Sequence, residues 1–284
     1  MNYPLLYMEH LSQRDFELLA QTAGTGGDAL KHRMLERPEV IDELLASRRL
    51  FDTIFDHSSD LADPGASSFL AFAALVNRSA SDLHEASYLP EWAAPGKRLP
   101  VFDVEPLRHF LDDGARRYFL IEFLNSFTSV ASGSYAVQTR DGLRRRRFSE
   151  LDPVALAEMV ELLPPAERPG GYRRLGDVAL FLSGVLPDHT ARHPYTPSQR
   201  AWLAQSAELG PTEALVEDQG LHFMEVAGAG WYRRSVDECN GTVSTGPTFL
   251  RTVADRFTEA RRILNYLADR YLFRHELGLV GDAG

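Results

Sequence analysis

Between Leu250 and Tyr271 the apolar residues Leu250, Val253, Phe257, Ala260, Leu264, Leu267 and Tyr271 recur at alternating spacings of three and four. Only an α-helix with one buried seam brings residues at those intervals onto a common face. Arg251, Asp255, Arg262 and Asp269 fall on the opposite side, where water can solvate them. The pattern covers fewer than about four heptads, so it predicts a helix packed in its own bundle rather than a free coiled-coil dimer.

Helical spacing dominates elsewhere too. Residues 12–22 and 26–36 read as two short helices parted by Gly24, Gly26 and Gly27, which favour a turn. Pro38 suits the first turn of a helix running to Leu45, and Leu50, Phe51, Ile54 and Phe55 mark another. Pro64-Gly65 opens a helix through Phe69, Phe72, Ala73 and Val76. A longer one is expected from Pro106 to Val130, with a break at Gly114 and a polar stripe of Glu122, Asn125, Ser126 and Ser129. Asp152 before Pro153 pairs an N-cap with a proline at the first helical position. Further helices are expected over Tyr172–Leu186, 198–209 and 212–238. The stretch from Tyr88 to Pro106 holds Pro90, Pro95, Gly96, Pro100 and Pro106, and reads as a loop pinned by Trp92.

One segment carries a β signal. Residues 134–139 and 143–148 flank Arg140-Asp141-Gly142, and Asp-Gly accepts the positive φ angles of a tight hairpin turn. With Asp141 and Gly142 in the turn, Arg140 faces Leu143, Val137 faces Arg146 and Tyr135 faces Phe148. The expected fold class is therefore all-α, a multi-helix bundle with one Arg-rich β-hairpin insertion. Its 284 residues suit a single helical domain, with 1–132 and 149–284 as alternative halves joined by the hairpin 133–148.

Composition narrows the function. An apolar fraction of 44% supports a real core, and a net charge of −10 disfavours polyanionic partners for the body of the protein. Cys239 is the single cysteine, which excludes an intrachain disulfide and multi-cysteine metal sites and fits a reducing compartment. The N-terminus has neither a basic stretch nor a long apolar one, and the longest apolar run, Phe69 to Val76, is too short to span a membrane. A cytoplasmic protein without membrane attachment is expected.

Several chemistries are suggested and then fail on context. Gly24-Thr25-Gly26-Gly27 with Lys31 lacks the preceding strand and the Lys-Ser/Thr pair of a phosphate loop. His189 and His193 are four apart beside Asp188, but Pro187 and Pro194 bracket them against a regular helix and no third ligand follows. Cys239 has no assignable base, and no Gly-x-Ser-x-Gly elbow occurs. Asp177 interrupts an apolar helix one turn after Arg173 and Arg174, marking either a polar centre in the bundle or an arginine-satisfied packing site. No sequence feature calls for a cofactor or metal, and none decides whether the chain is an enzyme.

The arginine hairpin is the strongest functional signal. Arg140, Arg144, Arg145, Arg146 and Arg147 concentrate five positive charges in an acidic chain, and four in a row occupy both faces of a strand. Arginine forks suit carboxylate and phosphate. The same residues can instead pair with the chain's own acids or guard an edge strand.

The C-terminal half also resembles a bacterial, chiefly actinobacterial, family to which no activity is attached. The likeness rests on Tyr172-Arg173-Arg174-Leu175-Gly176-Asp177-Val178-Ala179-Leu180-Phe181-Leu182-Ser183-Gly184 with Pro187-Asp188. It extends over Ala131-Ser132-Gly133-Ser134-Tyr135 through Arg147-Phe148-Ser149-Glu150-Leu151-Asp152-Pro153 and, loosely, Phe69 to Leu83. The resemblance implies a bacterial cytosolic origin and assigns no residue a role.

The expectation is a non-enzymatic partner-binding or regulatory protein. Its binding residues would be Arg140, Arg144, Arg145, Arg146, Arg147 and Asp177. The partner would be a protein or another anionic macromolecule, with nucleic acid less favoured. The alternative is a small-molecule binder or enzyme with a pocket between helices near Asp177, Glu122 and Glu225.

Overall fold

Helix caps set much of the chain path, beginning with Ser12 and Asp15. In the computed structural model Ser12 and Asp15 form a reciprocal capping box at the start of α2 (Gln13–Ala23), which follows α1 (Tyr3–His10). The structure describes residues 3–37, 39–55, 65–139, 142–210, 220–239 and 245–273, with residues 3–4, 133–148 and 245–248 by their backbone alone. Among these the fold is all-α with a β-hairpin, as expected.

The chain gathers into two compact units: Met1–Leu89 with Phe102–Thr128, and Pro90–Val101 with Ser129–Gly284. The first contains α1 and α2, then α3 (Gly27–Glu36), α4 (Val40–Leu45), α5 (Arg48–Phe55), α6 (Ser68–Glu85), α7 (Glu105–Leu111) and α8 (Gly114–Ser126). Gly24 ends α2 at φ +65°, the left-handed conformation that suits a glycine C-cap. The helix α6 is its spine, with Phe69, Leu70, Ala73, Ala74, Val76 and Leu83 buried. Asp15 is fully buried, yet its carboxylate accepts from Ser12 N at 2.8 Å, Ser12 Oγ at 2.7 Å and Ser67 N at 2.9 Å. Because Ser67 caps α6, one carboxylate ties two helix starts together. The break expected at Gly114 is real, and Asp113 caps α8 through Ala115 N and Arg116 N. Pro38 and Pro64 lie outside the described residues.

The second unit holds two β-ribbons and α9 (Pro153–Leu162), α10 (Arg168–Gly184), α11 (Pro187–Arg192), α12 (Pro197–Ser206), α13 (Leu221–Glu238), α14 (Thr245–Asp255) and α15 (Phe257–Leu267). A π-helical turn, Ala268–Leu272, continues α15. The pair α10 and α13 forms its centre, in close approach. A Cβ at Gly176 would lie 2.4 Å from the Tyr232 ring, and one at Gly228 would lie 2.4 Å from the Phe257 ring. A side chain at either position requires its neighbours, the facing aromatic ring first, to shift.

Four sequence expectations need correction here. The long C-terminal helix is two, because Arg256, at φ −122° and ψ 32°, interrupts it. The break precedes Phe257, whose ring packs 5.8 Å from that of Tyr232. A spacing pattern tolerates this interruption, since the seam stays buried on both sides: Val253 and Ala260 are each 0% exposed. Second, the Tyr88–Pro106 loop is largely a β-ribbon, β1 (Leu89–Ala94) and β2 (Lys97–Val101), turning at Pro95-Gly96 with Gly96 at φ +70°. Pro90 and Pro100 sit in a two-stranded ribbon, where every strand is an edge and a missing N–H is tolerated, whereas Pro106 lies in the first turn of α7. Third, His189 lies in a regular if short helix, since Pro187 occupies its first position, where proline is accepted. Fourth, α14 begins at Thr245, ahead of the Leu250–Tyr271 stretch over which spacing alone predicts the helix.

The predicted hairpin pairs β3 (Ser132–Thr139) with β4 (Gly142–Ser149), but in a different register. Val137 faces Arg144, Tyr135 faces Arg146, and Gly133 rather than Tyr135 faces Phe148. The last pair is Thr139 with Gly142, so Arg140 and Asp141 stand between the strands and lie outside the described residues. The two-residue shift keeps face membership, because strand faces alternate with period two. It separates the expected aromatic pair.

Candidate functional site

The root of the arginine hairpin is built around Glu150. Its backbone N–H donates to Ala131 O at 3.0 Å and its carboxylate accepts from Ala131 N at 2.9 Å, closing the ribbon's open end. The same carboxylate accepts from Arg174 Nε at 2.5 Å, which fastens the ribbon to α10. Burial pushes the Glu150 carboxyl up, but Arg174 and the Ala131 amide outweigh it and hold it below the ordinary glutamate range. Asp152, two residues on, accepts from Val154 N and Ala155 N and starts α9.

Arg174 also reaches toward Asp177, at 3.9 Å. Asp177 is 9% exposed and accepts a 2.7 Å hydrogen bond from the Tyr232 hydroxyl on α13. Burial first, and then the neighbouring Asp177 carboxylate, push the Tyr232 hydroxyl well above its ordinary range. A neutral phenol donating to a carboxylate satisfies both groups inside the core. Tyr232, Asp177, Arg174 and Glu150 thus form a polar line from the bundle centre to the foot of the hairpin. Sequence reasoning placed Asp177 beside Arg173 and Arg174. It missed Tyr232, which is 55 positions away and carries no local signal.

Arg140 lies outside the described residues, and Arg144, Arg145, Arg146 and Arg147 are placed by their backbone in β4, opposite Val137, Ala136, Tyr135 and Ser134. The three carboxylates of the expected pocket are distributed over both units. Glu225, on α13, pairs with Arg261 at 3.2 Å, and Arg261 in turn donates to Asn265 Oδ1 at 2.8 Å. Asn265 caps the end of α10 through the carbonyls of Ser183 and Gly184. Glu122 belongs to the first unit, on α8, with His10 at 3.7 Å.

Gly24 and Gly26 are a helix C-cap and the next N-cap, and Lys31 lies 4.6 Å above the Phe16 ring. The His189 and His193 rings lie 4.3 Å apart, and His193 Nδ1 is 2.8 Å from His189 O. Cys239 is exposed at the end of α13. Among the described residues no group of three or more His, Cys, Asp or Glu side chains is arranged to hold a metal ion, and no helix is long and apolar enough to cross a membrane.

The other ribbon is a contrasting site. Trp92 Nε1 donates to Asp188 Oδ1 at 2.5 Å, and Gly96 N donates to Asp188 Oδ2 at 3.2 Å. Arg98 forks onto Asp269 at 2.5 and 2.8 Å and approaches Asp188 at 3.6 Å. Glu91 is held by Arg262. Two members of the supposedly solvent-facing set on the C-terminal helix, Arg262 and Asp269, therefore serve as anchors for β1 and β2. No protein-family model matches this chain, and no curated protein and no solved structure is detectably similar to it.

Proposed function

We propose that the chain is a non-enzymatic partner-binding or regulatory protein whose β3–β4 hairpin captures an anionic macromolecular surface, in the first place an acidic protein. The observation that carries this is the concentration of Arg140 and Arg144–Arg147 on one two-stranded ribbon of a chain with net charge −10. The clamp of Glu150 on Arg174 supports it, since a charged ribbon fixed at its root loses less freedom on binding. Both edges of a two-stranded ribbon are open to a partner's backbone, and arginine forks match carboxylates bidentately.

A pocket between helices of the second unit, near Asp177 and Glu225, ranks second, because both carboxylates are already engaged, by Tyr232 and Arg261. The test is native mass spectrometry of protein gently purified from its own host, with and without Arg144→Ala combined with Arg146→Ala. A co-purifying macromolecule should be present with the native chain and reduced by roughly a hundredfold in the variant, whose melting temperature is unchanged. Capture that survives the double substitution overturns the proposal, and a bound small molecule in its place favours the pocket.

A further inference from the structure

The arginine run has a second consequence at the root of the hairpin. Ser149 is the one hydroxyl residue of the chain with arginines both two and three positions before it, in Arg146-Arg147-Phe148-Ser149. It ends β4 in an extended backbone and is exposed. Among the described residues no hydrogen bond engages its hydroxyl. Ser79, after Arg78, is 0% exposed, and Ser235, after Arg233-Arg234, is 5% exposed and donates to Pro169 O at 2.7 Å. Of these three serines, Ser149 alone joins the basic approach to an accessible hydroxyl. By register it also shares a strand face with Arg145 and Arg147, across from Ser132 and Ser134.

We propose that Ser149 is a phosphorylation site, modified by a serine kinase whose substrate groove reads the two preceding arginines, and that the phosphate switches off the hairpin's positive field. The second part rests on the anion-binding function proposed for the hairpin, whereas the first does not. In the transfer, Ser149 Oγ forms a bond to the γ-phosphorus of a nucleoside triphosphate. The bond from that phosphorus to the β-phosphate oxygen breaks, the nucleoside diphosphate leaves, and the hydroxyl proton passes to the kinase's base. Carboxylates in a kinase groove select arginines by charge pattern, and β4 presents them on an extended segment. The product carries about −1.5 to −2 charge beside Arg145 and Arg147, enough to cancel roughly two of the five arginines.

Full-length protein incubated with magnesium, nucleoside triphosphate and a purified arginine-selective serine kinase should gain one phosphate, mapped to Ser149 by fragment mass spectrometry. Ser149→Ala should gain none, Ser149→Thr should retain the acceptor, and Arg146→Ala with Arg147→Ala should slow transfer roughly tenfold. Phosphorylated protein should then leave a heparin column at lower salt than unmodified protein. No phosphate on Ser149, or transfer indifferent to Arg146 and Arg147, overturns the site. Phosphorylation with unchanged elution overturns the switch. Failure of the unmodified chain to bind heparin counts against the hairpin as a polyanion binder and against the switch, while the mass measurement decides the site by itself.

Discussion

The two β-ribbons of the second unit are built alike and charged differently. Each is a two-stranded pair of strands adjacent in the chain, and among the described residues neither belongs to a larger sheet. In β1–β2, Glu91 meets Arg262, Arg98 meets Asp269 and Asp188, and Trp92 also meets Asp188. Every one of those polar groups is answered by a helix of its own unit. In β3–β4 the described anchoring lies at the root, through Glu150, while the arginines follow one another toward the turn. A two-stranded ribbon is marginal alone. The first gains its place by balanced charge against the body. The second concentrates a single sign of charge within a chain of net charge −10.

Removing Arg98 should give the largest stability effect. Arg98→Ala leaves Asp188 and Asp269 without their shared donor, and about 2 kcal/mol of stability should be lost. Limited proteolysis should then cut between Pro90 and Val101, with capture of the partner by the other ribbon unchanged. Equal protection of native and variant chains would mean that the charges are decoration, and the contrast between the ribbons would collapse.

Glu150→Gln should act more gently, costing about 1 kcal/mol, because Arg174 keeps its approach to Asp177. Hydrogen exchange should rise at Ala131 and through β3, and partner capture should weaken without vanishing. Loss of the whole fold in this variant would show that the hairpin root is a core element rather than a mount.

The smallest effect is a dependence on acid. The Glu150 carboxyl is held below its ordinary range, so its contribution is present above the unfolded-state pKa of about 4.3 and is lost as pH falls through the folded-state value. The protection factor of the Ala131 amide should therefore fall on acidification below that ordinary value, and Glu150→Gln should flatten the response. An identical pH profile in both proteins would remove Glu150 from the explanation.

Much of the helical frame was legible because its signals act over a few residues. Asp152 and Pro153 start α9 where cap chemistry requires, and Gly24 parts α2 from α3. The Asp-Gly pair announced a hairpin, but not which two residues would stand in its turn, since neighbouring registers of equal parity bury the same faces. The polar centre was half legible. Asp177 was conspicuous in an apolar helix, whereas its donor, Tyr232, looked like any core aromatic. The β1–β2 ribbon was hidden by its prolines, which are ordinary turn and loop residues until remote helices offer Arg262, Asp269 and Asp188 as anchors.

By itself the sequence determined the helical class, most caps and breaks, and the gathering of arginines in and just before the second of two strand-forming runs. Periodicity, capping and turn chemistry are local, and they need no knowledge of what lies across the core. Tertiary structure decided the rest: the break at Arg256 that seats Phe257, the close approach of α10 and α13 at Gly176 and Gly228, and the union of Tyr232, Asp177, Arg174 and Glu150. Those choices depend on which distant surfaces share a buried volume, where a single Cβ or an unmatched carboxylate changes the favoured partner.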